Sequence, residues 1–236
     1  MSEDEPAEGR GGRRPEGENR LPPALAVLVA ALIYALLPES LLFTPRFVIP
    51  ALEIVLLIAL LITNPRRMVR ETRVSRIASI ALDAVVIAAN LVALGLLVTV
   101  LDSEQTSGKG LLIAAIQVWV TNVIGFALLY WEIDRGGPVA RRTRPRSKLR
   151  AADWRFSQDE NADTITEVAV TSSKHDDWRP TFVDYLYLSL TNSSAFSPTD
   201  TMPLSPRAKL LMGLQASVAL FTSLVIVARA IGALGG

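Results

Sequence analysis

The charges of this chain are segregated along its length. Charged residues make up 20% of the 236 positions, yet five apolar stretches hold almost none of them. A bilayer core about 30 Å thick takes roughly 20 apolar residues of helix to cross. In lipid only a helix or a closed barrel satisfies its own backbone. The pattern therefore predicts an all-α membrane protein with transmembrane helices over residues 23–43, 47–63, 77–101, 111–131 and 208–231. Pro38 and Pro45 suit a tight hairpin between the first two, and Asn64-Pro65 stops the second because proline cannot continue a helix. Residues 1–20 have no apolar periodicity and are rich in Gly, Pro and Glu, so they read as a disordered tail. They also lack the short basic start and small-residue cleavage site of a secretory signal.

Positive charge predicts the orientation, since loops rich in Lys and Arg stay cytoplasmic. Arg10, Arg13, Arg14 and Arg20 precede the first stretch. Arg66, Arg67, Arg70, Arg73 and Arg76 follow the second, and a run from Arg135 to Arg150 follows the fourth. The two intervening loops carry one cation each, Arg46 and Lys109. The N-terminus, residues 64–76 and residues 133–179 are thus expected in the cytoplasm. With 20 Arg against 4 Lys, the composition is that of a GC-rich bacterial genome, and the expected location is the bacterial cytoplasmic membrane. Four units follow: a tail (1–20), a four-helix transmembrane region (21–132), a loop first basic and then acidic (133–179), and a C-terminal module (180–236). The loop is too short to build its own core. It is expected to pack on the membrane portion or on a neighbouring subunit, with one alternating run, residues 164–170, as a short strand.

The chain has no cysteine and one histidine, His175. Disulfides, zinc–thiolate sites and thiol catalysis are excluded, and no cofactor or metal is expected. No GxSxG, HExxH, P-loop or GxGxxG pattern occurs, and an enzyme is not expected.

Residues 180–203, PTFVDYLYLSLTNSSAFSPTDTMP, form an apolar run too short to cross a bilayer, and it gives way to hydroxyls before the last long helix. That is the pattern of a re-entrant segment, and Asp184 at its start is suited to cap it. Residues 185–230 resemble the pore module of tetrameric potassium-channel-like ion channels, and the whole chain resembles bacterial integral membrane proteins with such a C-terminal segment. In this resemblance Tyr185, Leu186, Tyr187 and Ser189 correspond to the pore helix. Ala195-Phe196-Ser197-Pro198-Thr199-Asp200 fall at the filter, and Pro203 at a later proline. The resemblance implies a homo-oligomer with a pore loop lined by Thr191, Asn192, Ser193, Ser194, Phe196, Ser197, Thr199 and Asp200, conducting a small ion. Both filter glycines are replaced, so a potassium-selective filter is not expected. The arginine pattern has the loop enter from the cytoplasm, as in ionotropic glutamate receptors.

Polar residues inside spans are functional candidates by default. Glu53 lies in the second stretch. Asp83 and Asn90 lie on one face of the third, Gln117 with Thr121 and Asn122 in the fourth, and Gln215 and Thr222 on one face of the fifth. They read either as a polar pathway or as hydrogen-bonded glue between helices. Among basic residues only Arg229 lies within a span as a counter-ion. Three functions are open: a channel-like protein conducting a small ion, a non-conducting scaffold that binds a protein partner through residues 133–179, and a proton-coupled carrier using Glu53 and Asp83. Membrane lipid is an expected partner in all three, and nucleic acid in none.

Overall fold

Apolar periodicity and proline placement decide where the helices run. The computed structural model describes residues 17–63, 67–69, 72–100, 108–160, 163, 165–194 and 200–234. Eight α-helices occur among them: α1 (Leu21–Ala35), α2 (Val48–Thr63), α3 (Arg73–Thr99), α4 (Gly108–Ile133), α5 (Pro138–Thr143), α6 (Thr166–Ala169), α7 (Phe182–Ser194) and α8 (Pro206–Leu234). Three of them, α3, α4 and α8, are long and apolar enough to cross a membrane. The apolar helices α1 and α2 have 15 and 16 residues and are shorter than such a span requires. At 1.5 Å per residue they are about 22 and 24 Å long. The stretch expected to run as one helix to residue 43 stops at Ala35, and a 3-10 turn follows at Glu39–Leu41. Proline disfavours helix in the residue before it, and Leu37 stands before Pro38. Arg46 closes the end of α1 by donating Nη1 to the carbonyls of Ala35 (2.6 Å) and Leu37 (2.8 Å).

The start of α3 is fixed by a capping box. The Ser75 amide donates to Thr72 Oγ1 (3.0 Å) and the Thr72 amide to Ser75 Oγ (2.9 Å). Helices α3 and α4 approach closely at Gly125, where a Cβ would lie 3.1 Å from Ile87 Cγ1 and 3.3 Å from Val86 Cγ1. Two apolar clusters fill the bundle. One joins α1, α2 and α3 to the C-terminal half of α4, to α7 and to the start of α8. The other lies at the opposite end, where Val225 of α8 meets Leu97, Leu111 and Ala114. Large side chains such as Leu32, Val55, Ile62, Leu210 and Phe221 stay exposed around the outside.

The arginine-rich segments gather at one end of the bundle. Glu18–Asn19 (β1) pair antiparallel with Arg67–Met68 (β2), so this part of the tail expected to be disordered is a strand. The reason is a set of long-range partners that local composition does not reveal. Arg20 Nη1 donates to the Leu60 carbonyl at 2.8 Å and joins the start of α1 to the end of α2. Arg76 Nη1 donates to the Gly136 carbonyl at 2.7 Å and brings the start of α3 to the chain after α4. Both α7 and α8 begin at this end too: the Phe182 amide donates to Glu18 Oε1 (2.7 Å), which also accepts from Trp131 Nε1 (2.9 Å), and Arg207 makes its bonds beside Ile133.

Residues 133–179 pack on the bundle and build no core of their own. Arg135, Gly136 and Gly137 all have positive φ (54°, 90° and 96°), which turns the chain back on the end of α4. Pro138 then starts α5 with its fixed φ. Trp154–Arg155 (β3) pair antiparallel with Met202–Pro203 (β4). The expected strand at 164–170 is instead the helical turn α6 over Thr166–Ala169. Short alternation is ambiguous without a partner strand, and among the described residues none pairs with it.

Candidate functional site

Helix α7 is an amphipathic element with polar residues on its buried face. Its 13 residues give about 20 Å of helix. Asp184 caps the start, accepting from the Thr181 amide (2.7 Å) and hydroxyl (2.9 Å). Val183, Tyr187 and Leu190 are exposed, while Ser189, Asn192 and Ser193 are buried against α4 and α8. There Gln215 of α8 is the hub. Its Oε1 accepts from Tyr130 Oη (2.6 Å) and Asn192 Nδ2 (2.9 Å). Its Nε2 donates to Ser193 Oγ (2.8 Å) and to both Ser189 Oγ (2.6 Å) and the Ser189 carbonyl (3.0 Å). Asn192 Nδ2 also reaches the Met212 carbonyl (3.1 Å), and Ser189 Oγ the Val123 carbonyl (2.7 Å). Of the sequence candidates, Asn192, Ser193 and Gln215 are therefore brought together and hydrogen-bonded to one another. Thr191, Ser194 and Thr222 donate to carbonyls of their own helices. Asp200 is exposed; Phe196, Ser197 and Thr199 lie outside the described residues.

A second polar seam runs through α1–α4, and it is not satisfied in this way. Glu53 is 2% exposed, Asp83 4%, Asn90 4% and Asn122 1%. Glu53 Oε2, Asp83 Oδ2, Asn90 Oδ1, Gln117 Oε1 and both amide atoms of Asn122 are buried without a hydrogen-bond partner among the described residues. Buried polar groups are normally paired, and each exception calls for a reason. Asp83 lines a cavity of about 20 Å³ among α1, α2, α3 and α4, walled also by Arg20, Leu60, Ser79 and Trp131. Those four side chains also wall a second cavity, of about 40 Å³, which adds Ser75, Arg76 and Glu132 at the arginine-rich end. A water needs roughly 10–15 Å³ of such space and a few polar partners, and both cavities meet that measure. Glu132 lies within electrostatic reach of both Asp83 and Arg20. Arg20, which precedes the first helix, is the cation that lines this cavity with Asp83 among the described residues.

The third cluster was not singled out in the sequence. Arg141 of α5 is fully buried and donates Nη1 to the carbonyls of Trp131 (2.7 Å) and Asp134 (2.8 Å). Its Nη2 lies 3.7 Å from Glu18 Oε2, and its guanidinium sits 4.9 Å from the Tyr185 ring centre. Tyr185 Oη donates to Asp134 Oδ2 at 2.5 Å, and the Asp153 amide to Asp134 Oδ1 at 2.7 Å. Asp153 in turn accepts from Ser205 and from Arg207 Nε (2.6 Å). Burial pushes the Glu18 carboxyl above its ordinary value, against the opposing pull of Arg141 and of the Trp131 and Phe182 donors. The knot ties the starts of α7 and α8 to the end of α4. Its one local signal is the Gly136-Gly137-Pro138 turn, which forces the following arginines back onto the helix they leave. Among the described residues no group of His, Cys, Asp and Glu is arranged to hold a metal.

Comparison of the chain with protein-family models, curated proteins and solved structures found no match. The functional reading rests on this geometry alone.

Proposed function

We propose that the chain is a multi-pass protein of the bacterial cytoplasmic membrane that takes up and releases a proton at Asp83. In this reading α3, α4 and α8 span the bilayer, the shorter α1 and α2 cross it with local thinning of the lipid, α7 is a re-entrant segment, and the arginine-rich end faces the cytoplasm. The observation that carries the reading is Asp83 itself. It is a buried carboxylate with an unpartnered oxygen, at the inner end of two adjoining water-sized cavities that reach Ser75 and Arg76. A carboxylate at such depth is costly unless it changes charge or finds a partner. Water in the cavities would carry the proton past Glu132 and Arg20, and Asn90, Glu53 and Asn122 continue the polar seam beyond. The hydroxyl-rich face of α7 is by contrast already used within the chain.

The test is proton uptake into liposomes under an imposed potential, read with a pH-sensitive dye. The expected result is flux in the wild type and its loss in Asp83→Asn, with the variant's thermal melt unchanged or raised. Wild-type flux retained by Asp83→Asn, or no wild-type flux at all, would sink the proposal.

A second reading keeps α7 and α8 as a channel-like module of a homo-oligomer. It is favoured by one observation: the outward face of α7 exposes Val183, Tyr187 and Leu190, which a neighbouring copy would cover.

A further inference from the structure

The outer surface near the arginine-rich end carries two adjoining cavities of opposite character. One, of about 510 Å³, is a groove between α1 and α2 lined by Leu21, Leu25, Leu28, Leu57 and Leu61, with Arg67 at its rim. The other, of about 380 Å³, lies beside it and is lined by Arg67, Arg142, Asn19, Glu18 and Thr181. Asn19 and Arg67 line both, so the apolar groove opens directly onto the polar pocket. The groove faces outward, with Leu21 60%, Leu25 50% and Leu28 44% exposed.

Two cations and one carboxylate line the pocket among the described residues. The oxygens of Glu18 are turned to Trp131 Nε1, the Phe182 amide and Arg141, so its charge is met from behind by the knot. Arg142 is held by one bond, Nη2 to the Arg179 carbonyl at 3.2 Å, and its Nε has no partner among the described residues. Two guanidiniums thus line a pocket in which the one carboxylate among the described lining residues is turned to the knot. Their planar donor forks match a phosphate. An apolar groove leading up to such a pair, at the membrane surface, is shaped for a molecule with a hydrocarbon tail and an anionic head.

We propose that this double cavity binds one anionic phospholipid, with an acyl chain along Leu25, Leu28, Leu57 and Leu61 and the phosphate between Arg67 and Arg142. The site is independent of the proton pathway, since Asp83 lines neither cavity.

The test uses the full chain, delipidated in detergent and titrated with phosphatidylglycerol or phosphatidylcholine of identical acyl chains in native mass spectrometry. Two arginines near a lipid headgroup predict about 30-fold tighter retention of phosphatidylglycerol. Arg67→Gln with Arg142→Gln is expected to remove the preference. Arg67→Gln alone leaves the Arg142–Arg179 bond intact and is expected to lower the preference about fivefold, which keeps the test open if the double variant does not fold. Leu28→Trp, which fills the groove, is expected to weaken both lipids. Equal binding of the two lipids overturns the proposal, as does a double variant that keeps the wild-type preference. So does displacement of the lipid by inorganic phosphate at equal concentration, which would mean an anion pocket without a tail site. A lipid-free dimer that buries the groove would overturn it as well.

Discussion

Replacing Gln215 with leucine is expected to loosen α7 from the bundle. The side chain accepts two hydrogen bonds at Oε1 and donates to Ser189 and Ser193 through Nε2. Leucine is close in volume, so the packing loss is small and the loss of hydrogen bonds dominates. Asn192 keeps its bond to the Met212 carbonyl, and Ser189 Oγ keeps the Val123 carbonyl. Tyr130 Oη and Ser193 Oγ are left with no other partner among the described residues, and each buried orphan costs about 1–3 kcal/mol. Hydrogen bonds between membrane helices average only about 0.6 kcal/mol, which for lost contacts to four residues gives about 2 kcal/mol. The two routes converge on about 2–4 kcal/mol. Denaturant unfolding of the purified protein in detergent, followed by circular dichroism, measures it. A double-mutant cycle with Tyr130→Phe isolates the orphaned hydroxyl and is expected to show about 1 kcal/mol of coupling. If Gln215 lined a water-filled pore, water would replace the lost partners. Stability unchanged within about 0.5 kcal/mol, together with no coupling to Tyr130, would refute the reasoning.

Two further outcomes follow from other parts of the molecule. Glu18 has a folded-state pKa raised above its ordinary 4.5, so it binds more protons folded than unfolded. Stability is therefore expected to fall as pH rises through the window above 4.5, and Glu18→Gln should flatten that part of the profile in melts from about pH 4 to about pH 8; an identical slope in the variant contradicts this. Because the chain has no cysteine, Thr191→Cys introduces a unique thiol on α7. Oxidation in native membranes is expected to give a cross-linked dimer if α7 faces a second copy, and a purely monomeric product counts against the oligomeric module.

What could be read from the sequence follows physical range. The helices α3, α4 and α8 declare themselves because 18 or more apolar residues have few other fates. The gathering of Arg20, Arg67, Arg76 and Arg141 at one end follows from the same charge pattern. The residues 191–194 illustrate the limit. Their hydroxyls and amides are polar whether they face a pore or a neighbouring helix, and only the position of Gln215 distinguishes the two. Glu18 sits among Gly, Pro and Glu and looks like tail; its partners are 113 and 164 residues away. That Asp83 and Arg20 line one cavity was equally hidden, because it depends on how α1, α2, α3 and α4 pack together, not on spacing along any one helix.

The Glu18 clasp bears on how the chain is made. Glu18 leaves the ribosome early, yet its carboxylate waits for Trp131 and then for the Phe182 amide. Contacts of such separation form late and slowly. Until α7 arrives, the N-terminal segment holds an acid meant for a buried site, and an incomplete chain keeps that end unlatched. Completion of the arginine knot would therefore report that translation and insertion have reached the last helix. An affinity tag joined directly before Gly17 would burden that latch, whereas one at the far end, past Leu234, would leave it alone.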